Sequence, residues 1–293
     1  MKFKNIAVAA AAITTVFTLS GCAAASVPDA GDGDGVESVL PDVTPDIPPE
    51  IVVPKPPIQE KPVVPEQPKP EPDNSTVVKP VSNKITYLTV TSDGVNIRSG
   101  AGTNYSVVGT AEKHTLYAYL GEQNGWYKTQ YKNKTVFISS KYCSFVEMEK
   151  SADERVEAVI ADGCKYLGTK YVYGAIRYHD GKGNKLKDFT SSAFDCSSLM
   201  QYIFYNGASK LLDVTTRTQV VQGKTVSKSQ MKRGDLMFFT NESRKNKTGV
   251  ERIGHVALYM GDNLILHTAS DYAKIEQISS TRWSYFIQAQ RML

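Results

Sequence analysis

The chain has 293 residues, room for about two domains at roughly 150 residues each. With 41% hydrophobic and 22% charged residues, its averages are those of an ordinary globular protein, which excludes a collagen-like or wholly disordered chain. Yet all 14 prolines fall between Pro28 and Pro80, residues 22–80 carry four lysines against eleven acids, and residues 81–293 carry 28 basic against 19 acidic side chains, so one uniform globule is excluded too.

Lys2 and Lys4 precede an apolar run from Ile6 to Leu19, which is followed by Leu19-Ser20-Gly21-Cys22. A basic start, a short apolar stretch and small residues at a cut site read as a secretory signal peptide over residues 1–21. The run is too short and alanine-rich for a good permanent span. Leu19-Ser20-Gly21-Cys22 resembles a bacterial lipobox, which implies lipidation of Cys22 and a membrane anchor on the extracytoplasmic face. Residues 22–82 are dominated by Pro, Glu, Asp, Val and Lys, with no amphipathic period. Such a segment buries too little apolar surface to offset its ordering entropy and is expected to stay open. As extended polyproline II at about 3.1 Å per residue, it would span at most about 190 Å and act as a spacer.

Residues 83–147 read as short strands: Tyr87 to Thr91, Val95 to Arg98, Thr115 to Leu120, Trp126 to Gln130 and Thr135 to Ser139. Turn chemistry sits between them at Asp93-Gly94, Ser99-Gly100-Ala101-Gly102 and Asn124-Gly125. A small barrel follows from that pattern. The residues Val95-Asn96-Ile97-Arg98-Ser99-Gly100, Val108-Gly109 and Gly125-Trp126-Tyr127-Lys128 resemble a bacterial SH3-like domain, which implies wall binding or substrate positioning. Trp126 and Tyr127 could form a ligand platform, but packing of one of them in the barrel core is favoured.

In residues 151–293, Ser151 with Glu154 is a capping-box pattern opening a helix. Val156, Val159, Ile160, Cys164 and Leu167 then recur at helical spacing, which predicts burial for Cys164. A second helix is expected from Cys196 to about Tyr205. Strands follow at Asp235 to Phe239, His255 to Met260, Leu264 to Thr268, Lys274 to Ile278 and Ile287 to Met292. Helices first and strands afterwards predict an α+β domain with an antiparallel sheet.

Cys143 and Cys164 could pair in an oxidising compartment, but the sequence does not say whether they meet. Cys196 falls in the first turn of a helix, where unpaired N–H groups and the dipole favour a thiolate. A thiolate needs a base beside it. His114 and His179 read as solvated. His255 and His267 lie on consecutive strands joined by Gly261-Asp262-Asn263. A three-residue loop sets His255 opposite Ala269 and makes His267 its diagonal neighbour on one face, within hydrogen-bond reach. A cysteine at a helix start with two neighbouring histidines on the adjoining sheet is the layout of a papain-like cysteine hydrolase. In that layout His255 is the base and His267 fixes its tautomer. Two satisfied half-buried histidines and an inert cysteine would produce the same spacing.

Five blocks come in order: Gly168-Thr169-Lys170-Tyr171-Val172-Tyr173-Gly174, Phe194-Asp195-Cys196-Ser197-Ser198-Leu199, Arg217-Thr218-Gln219, Gly234-Asp235-Leu236-Met237-Phe238-Phe239 and Gly254-His255-Val256-Ala257-Leu258-Tyr259-Met260-Gly261. Together they resemble the NlpC/P60 family of cell-wall cysteine peptidases over residues 153–293. The resemblance implies cleavage of peptidoglycan stem peptides, commonly at the bond from D-γ-glutamate to the diamino acid. It implies Cys196 as nucleophile, His255 as base, His267 as third polar residue and Tyr171 near the oxyanion. It places Asp195 and Ser197 where some members contact the free amine of a stem peptide. Two departures stand out: Ser198 replaces a usual glycine, and the stretch from Ile176 to Ala193, with Arg177, Lys182, Lys185 and Lys187, is long. With the basic loop from Asn241 to Arg252, it could line the cleft or be solvated decoration.

The expected function is a lipid-anchored, extracytoplasmic peptidoglycan endopeptidase with a Cys-His-His mechanism. No metal or other cofactor is expected, because neither histidine spacing nor carboxylate grouping offers a zinc set. The basic balance after Pro80 suits an anionic wall, and nucleic acid is not an expected partner in that compartment. Two rivals are a non-catalytic wall-binding lipoprotein and an amidase or acyltransferase on the same fold. Bond choice and oligomeric state are not legible in the sequence.

Overall fold

The structure, a computed structural model, describes residues 83–293. The expected signal segment, Cys22 and the linker over 22–82 lie outside the described residues.

The N-terminal strands are β1 (Lys84–Val90), β2 (Val95–Arg98), β3 (Val107–Ala111), β4 (Leu116–Ala118), β5 (Glu122–Gln123), β6 (Trp126–Tyr131), β7 (Lys134–Ser139) and β8 (Cys143–Glu149). Period-two alternation orients them: Val95 and Ile97 of β2 and Val136 and Ile138 of β7 point inward. They form two antiparallel sheets, β4-β1-β8 and β3-β2-β7-β6-β5. Sequence reading missed β3 and β8 because each buries a single residue, Ala111 and Met148, and so carries almost no alternation. β8 also runs to Glu149, two residues past the expected end of the barrel.

The C-terminal part contains α1 (Glu154–Lys165), β9 (Lys170–Tyr171), β10 (Ala193–Phe194), α2 (Cys196–Ala208), α3 (Thr216–Gln219), β11 (Lys224–Val226), β12 (Leu236–Phe239), β13 (His255–Gly261), β14 (Leu264–Ala269), β15 (Tyr272–Gln277), α4 (Ser280–Ser284) and β16 (Phe286–Arg291). Its eight strands run in the order β10-β9-β15-β14-β13-β12-β16-β11. As expected, helices pack on an antiparallel sheet; the exception is the short parallel pair β9–β10. β12 is buried at all four residues because both faces are covered. Leu236 and Phe238 join the core under α1 and α2, while Met237 and Phe239 join a second core with Trp283 and Tyr285 beside α4. α1 and α2 meet closely at Gly207, where an added Cβ would lie 2.5 Å from the Val159 backbone.

The start of α1 differs from the expected capping box. Asp153, not Ser151, is the N-cap, its side chain accepting from Arg155 N–H at 3.0 Å. Ser151 supports the turn before it: its Oγ accepts from Asp153 N–H, and its own N–H donates to Glu157 Oε1 at 2.8 Å.

Residues 83–293 lie within one compact unit, so the barrel is seated on the C-terminal part. Arg233, 6% exposed, holds the seam: it pairs with Glu157 at 2.7 Å and donates to Met260 O and Tyr87 Oη, each at 2.7 Å. Lys132 N–H donates to Leu167 O at 2.8 Å, and the Tyr131 ring covers Gly168.

The β13–β14 hairpin carries the two histidines. Asp262 and Asn263 both have positive φ, and Gly261, at φ +90°, forms a bulge opposite Leu264. The bulge restores the register of a three-residue loop: Leu258 faces Leu266 and Tyr259 faces Ile265.

Candidate active site

α2 begins at Cys196 because Asp195 and Ser198 close a capping box around it. Asp195 Oδ1 accepts from Ser198 N–H at 2.8 Å, and Ser198 Oγ accepts from Asp195 N–H at 2.9 Å. Ser198, which stands where the resembled family usually has glycine, thus closes the cap. Cys196 is 8% exposed, and the backbone N–H groups of Val256 and Ser197 act to lower its pKa. Burial pushes its thiol up to about 12, and the Asp195 carboxylate adds to the rise. Desolvation thus opposes the anion that the helix start favours, and it outweighs the donors and Arg177.

His255 begins β13, next to Val256, whose N–H acts to lower the Cys196 pKa. Its ring packs on Phe239, on the sheet face away from α2. His255 Nε2 lies 3.0 Å from His267 Nδ1, and His267 Nε2 lies 2.9 Å from Glu276 Oε1. The chain of partners sets the protons. Glu276 can only accept, so neutral His267 carries its proton on Nε2 and accepts at Nδ1 from His255 Nε2–H. That leaves the lone pair of His255 on Nδ1. Burial lowers His255 well below its ordinary range, helped by His267 and Arg282; it also lowers His267, against the pull of Glu276. Burial pushes Glu276 up, but its hydrogen bond and charge interaction with His267, with Lys274 and Arg282, hold it below the ordinary range.

Glu276 escaped the sequence reading, although a signal existed. His267 faces Lys274 across β14–β15, so Glu276 is its diagonal neighbour on the same face, the relation that linked His255 to His267.

Two clefts flank these groups. One, of about 370 Å³, is lined by Cys196, Asp195, Ser197, Arg177, Arg217 and Arg244 among others. The other, of about 390 Å³, includes His255 and Arg282. Tyr171, Asn241 and Gly254 line both. Burial raises the Tyr171 phenol to about 12, with Cys196 and Asp195 adding, so at neutral pH it is a hydrogen-bond donor.

Both long loops enter the cleft. Arg177 pairs with Asp195 Oδ2 at 2.8 Å, donates to Ser197 Oγ at 3.0 Å and to Val214 O at 2.8 Å, and also bonds Ala175 O. Asn241, Ser243 and Arg244 come from the second loop. Gln219, in the expected Arg217-Thr218-Gln219 block, donates to Ser197 O at 3.0 Å.

Other predicted residues lie elsewhere. His114 is exposed, but His179 is fully buried rather than solvated: its Nδ1 accepts from Gly181 N–H at 3.0 Å, and its ring packs on Tyr178 and Tyr205. Cys143 and Cys164 are both free thiols. Tyr127 packs with Tyr119 and Phe145 against the barrel core, whereas Trp126 lines a separate cleft of about 650 Å³ with Arg98 and Tyr142. Among the described residues, no group of three His, Cys, Asp or Glu side chains is arranged to hold a metal ion, and no helix is long and apolar enough to cross a membrane.

The NlpC/P60 family model matches residues 168–292, spanning the Cys196 helix and the His255–His267 hairpin. The match takes in most of the C-terminal part. The bacterial SH3 domain model matches residues 93–144 within the barrel. The chain is 32% identical over 130 residues to a peptidoglycan DL-endopeptidase, CwlO, of Bacillus licheniformis, covering 44% of this chain and 26% of that protein. It is 29% identical over 172 residues to a gamma-D-glutamyl-L-lysine dipeptidyl-peptidase of Bacillus subtilis, covering 58% of this chain and 50% of that one. The chain thus spans a quarter to a half of the length of these relatives. The solved structure of RipD from Mycobacterium tuberculosis, described as a non-catalytic NlpC/p60 domain protein, is 22% identical with a TM-score of 0.37, covering 48% of this chain and 99% of that one.

Proposed function

We propose that the protein is an extracytoplasmic, lipid-anchored peptidoglycan endopeptidase that hydrolyses stem-peptide amide bonds at the D-γ-glutamyl–diamino acid linkage. The observation that carries this reading is the chain His255–His267–Glu276, which leaves His255 Nδ1 unprotonated at the start of the strand next to Val256, whose N–H acts on Cys196. The relatives named as a peptidoglycan DL-endopeptidase and a gamma-D-glutamyl-L-lysine dipeptidyl-peptidase support the substrate class. Anchoring rests on Leu19-Ser20-Gly21-Cys22.

The reaction starts from a neutral pair. As Cys196 Sγ bonds to the scissile carbonyl carbon, its proton passes to His255 Nδ1. The Cys196 backbone N–H and the Tyr171 phenol donate to the oxyanion. The imidazolium then protonates the leaving amine as the C–N bond breaks, giving a thioester. His255 next takes a proton from water, whose oxygen attacks the thioester; Cys196 leaves with a proton and the carboxylate product is released. Through this cycle the Glu276 carboxylate stabilises the positive charge on the histidine pair.

The test is digestion of purified peptidoglycan by the full chain beside Cys196→Ala, with mass spectrometry of released fragments. Fragments cut between D-glutamate and the diamino acid, absent with the variant, are expected. Release of intact stems from sugar would identify an amidase, and binding without release by either protein would identify a wall-binding protein. Labelling with a radioactive fatty acid, lost in Cys22→Ser, tests the anchor.

A further inference from the structure

Arg177 comes from the long segment after Tyr173 and closes over the groups flanking the nucleophile. Its side chain is 17% exposed, and Nε, Nη1 and Nη2 all have protein acceptors. The Asp195 carboxylate is fully engaged in turn. Oδ1 accepts from Ser198 N–H and Ser197 Oγ, and Oδ2 accepts from Gly174 N–H at 3.2 Å and from Arg177. A carboxylate and a hydroxyl beside Cys196 would otherwise be a ready receptor for a substrate ammonium; here the chain's own guanidinium fills that place. The same cleft holds Arg217 and Arg244, both paired with Glu251, at 3.3 and 3.1 Å. Three guanidiniums thus meet two carboxylates, Asp195 and Glu251, and the cleft keeps one positive charge in excess.

We propose that Arg177 is a specificity-determining residue that makes the cleft reject stem peptides with a free N-terminal ammonium and accept those whose N-terminus is acylated, as it is while the stem is still joined to the sugar chain. This deepens the endopeptidase reading and rests on it. A free ammonium would lie against Arg177 in a half-enclosed site, where like charges are poorly screened. An acylated N-terminus is neutral, and the carboxylates of the stem then find a cationic wall. The chain would accordingly act on intact wall rather than on peptides already released from it.

The experiment measures kcat and KM of the full chain for two stem tetrapeptides that differ only in N-acetylation. It also measures affinity of the Cys196→Ala full chain for both peptides by calorimetry. The acetylated peptide is expected to be preferred at least tenfold, with the difference in KM and in affinity. In Arg177→Gln, which leaves Asp195 without its cation, the ratio should fall at least tenfold or invert; in Arg177→Lys, which keeps the charge, it should persist. A wild-type ratio within twofold in both measurements would overturn the proposal, as would an unchanged ratio in folded Arg177→Gln. If Arg177→Gln does not fold, the wild-type and Arg177→Lys ratios decide. Cleavage of neither peptide would count against the endopeptidase reading, and the binding ratio would still judge Arg177.

Discussion

If the resting thiol of Cys196 is held at about 12 by burial, its reactivity toward a small electrophile is predictable. At pH 7.5 the thiolate fraction would be about 3 × 10⁻⁵, against about 0.1 for an unperturbed cysteine near 8.5. A Brønsted slope of about 0.4–0.5 returns about 40-fold in intrinsic nucleophilicity. The two factors leave Cys196 about 70-fold slower than a free thiol, before any further slowing from burial. The assay is iodoacetamide alkylation of the native protein between pH 6 and 9, quenched and resolved by peptide mapping. Mapping is needed because Cys143 is half-buried, with its own thiol pushed up to about 11, and Cys164 is buried. The logarithm of the Cys196 rate should rise by about one per pH unit with no shoulder, since the whole range lies below its pKa. A plateau below pH 7, or a rate matching or exceeding that of a free thiol at pH 7.5, would mean that an imidazolium–thiolate pair exists at rest. The general-base start of the mechanism would then be wrong.

Glu276→Ala removes the acceptor of His267 Nε2 and should lower kcat about 10–100-fold, the worth of a hydrogen bond to a charged group of about 1.5–3 kcal/mol. Glu276→Gln, whose amide oxygen still accepts, should lose less; equal kcat in wild type and Glu276→Ala would remove Glu276 from the site. Because burial holds His255 below its ordinary range, kcat/KM should stay flat from pH 8 down to about 6.5, with its acid limb below that value; a limb at or above 7 would contradict the order of protonation. His179 and His267 are buried with lowered affinity for protons, so below about pH 6.5 the unfolded chain binds more protons than the folded one. Stability should be full above that pH and fall on acidification, each group contributing up to about 1.4 kcal/mol per pH unit, as seen in Tm at pH 7.5 and 5.5. Gly168→Ala would add a Cβ 1.9 Å from the Tyr131 ring at φ +79°. Backbone strain of about 1–2 kcal/mol and overpacking of about 1–3 kcal/mol should lower Tm by roughly 5–15 °C in calorimetry, and an unchanged Tm would mean that the barrel shifts freely on its seat.

Much of this protein is legible in local pattern. Turn residues and alternation outline most of the barrel, and helical spacing marks α1 and α2. Cys196 sits at a helix start because Asp195 precedes it and Ser198 follows, a relation within four residues. The parity of the His255–His267 hairpin was also readable, and it holds because Gly261 bulges while Asp262 and Asn263 make the turn. These features depend on residues close in sequence or on the two-residue period of a strand.

What the sequence could not settle depends on distant segments meeting. The thiol state is one case: the helix start favours an anion, but the burial that raises Cys196 comes from packing around it. His179 is another, polar and loop-borne in sequence, yet enclosed by Tyr178 and Tyr205 once its loop folds onto α2. Arg177 read as one more charge in a basic loop, and only the fold sets it on Asp195 and Ser197, 18 and 20 positions further along the chain. Likewise Glu276 becomes a partner of His267 through the pairing of β14 with β15. Composition and spacing report the chemistry a residue carries and the face it occupies, because both are local properties. Desolvation and charge pairing depend on which segments the fold brings within a few ångströms, and here they govern the protons of the site.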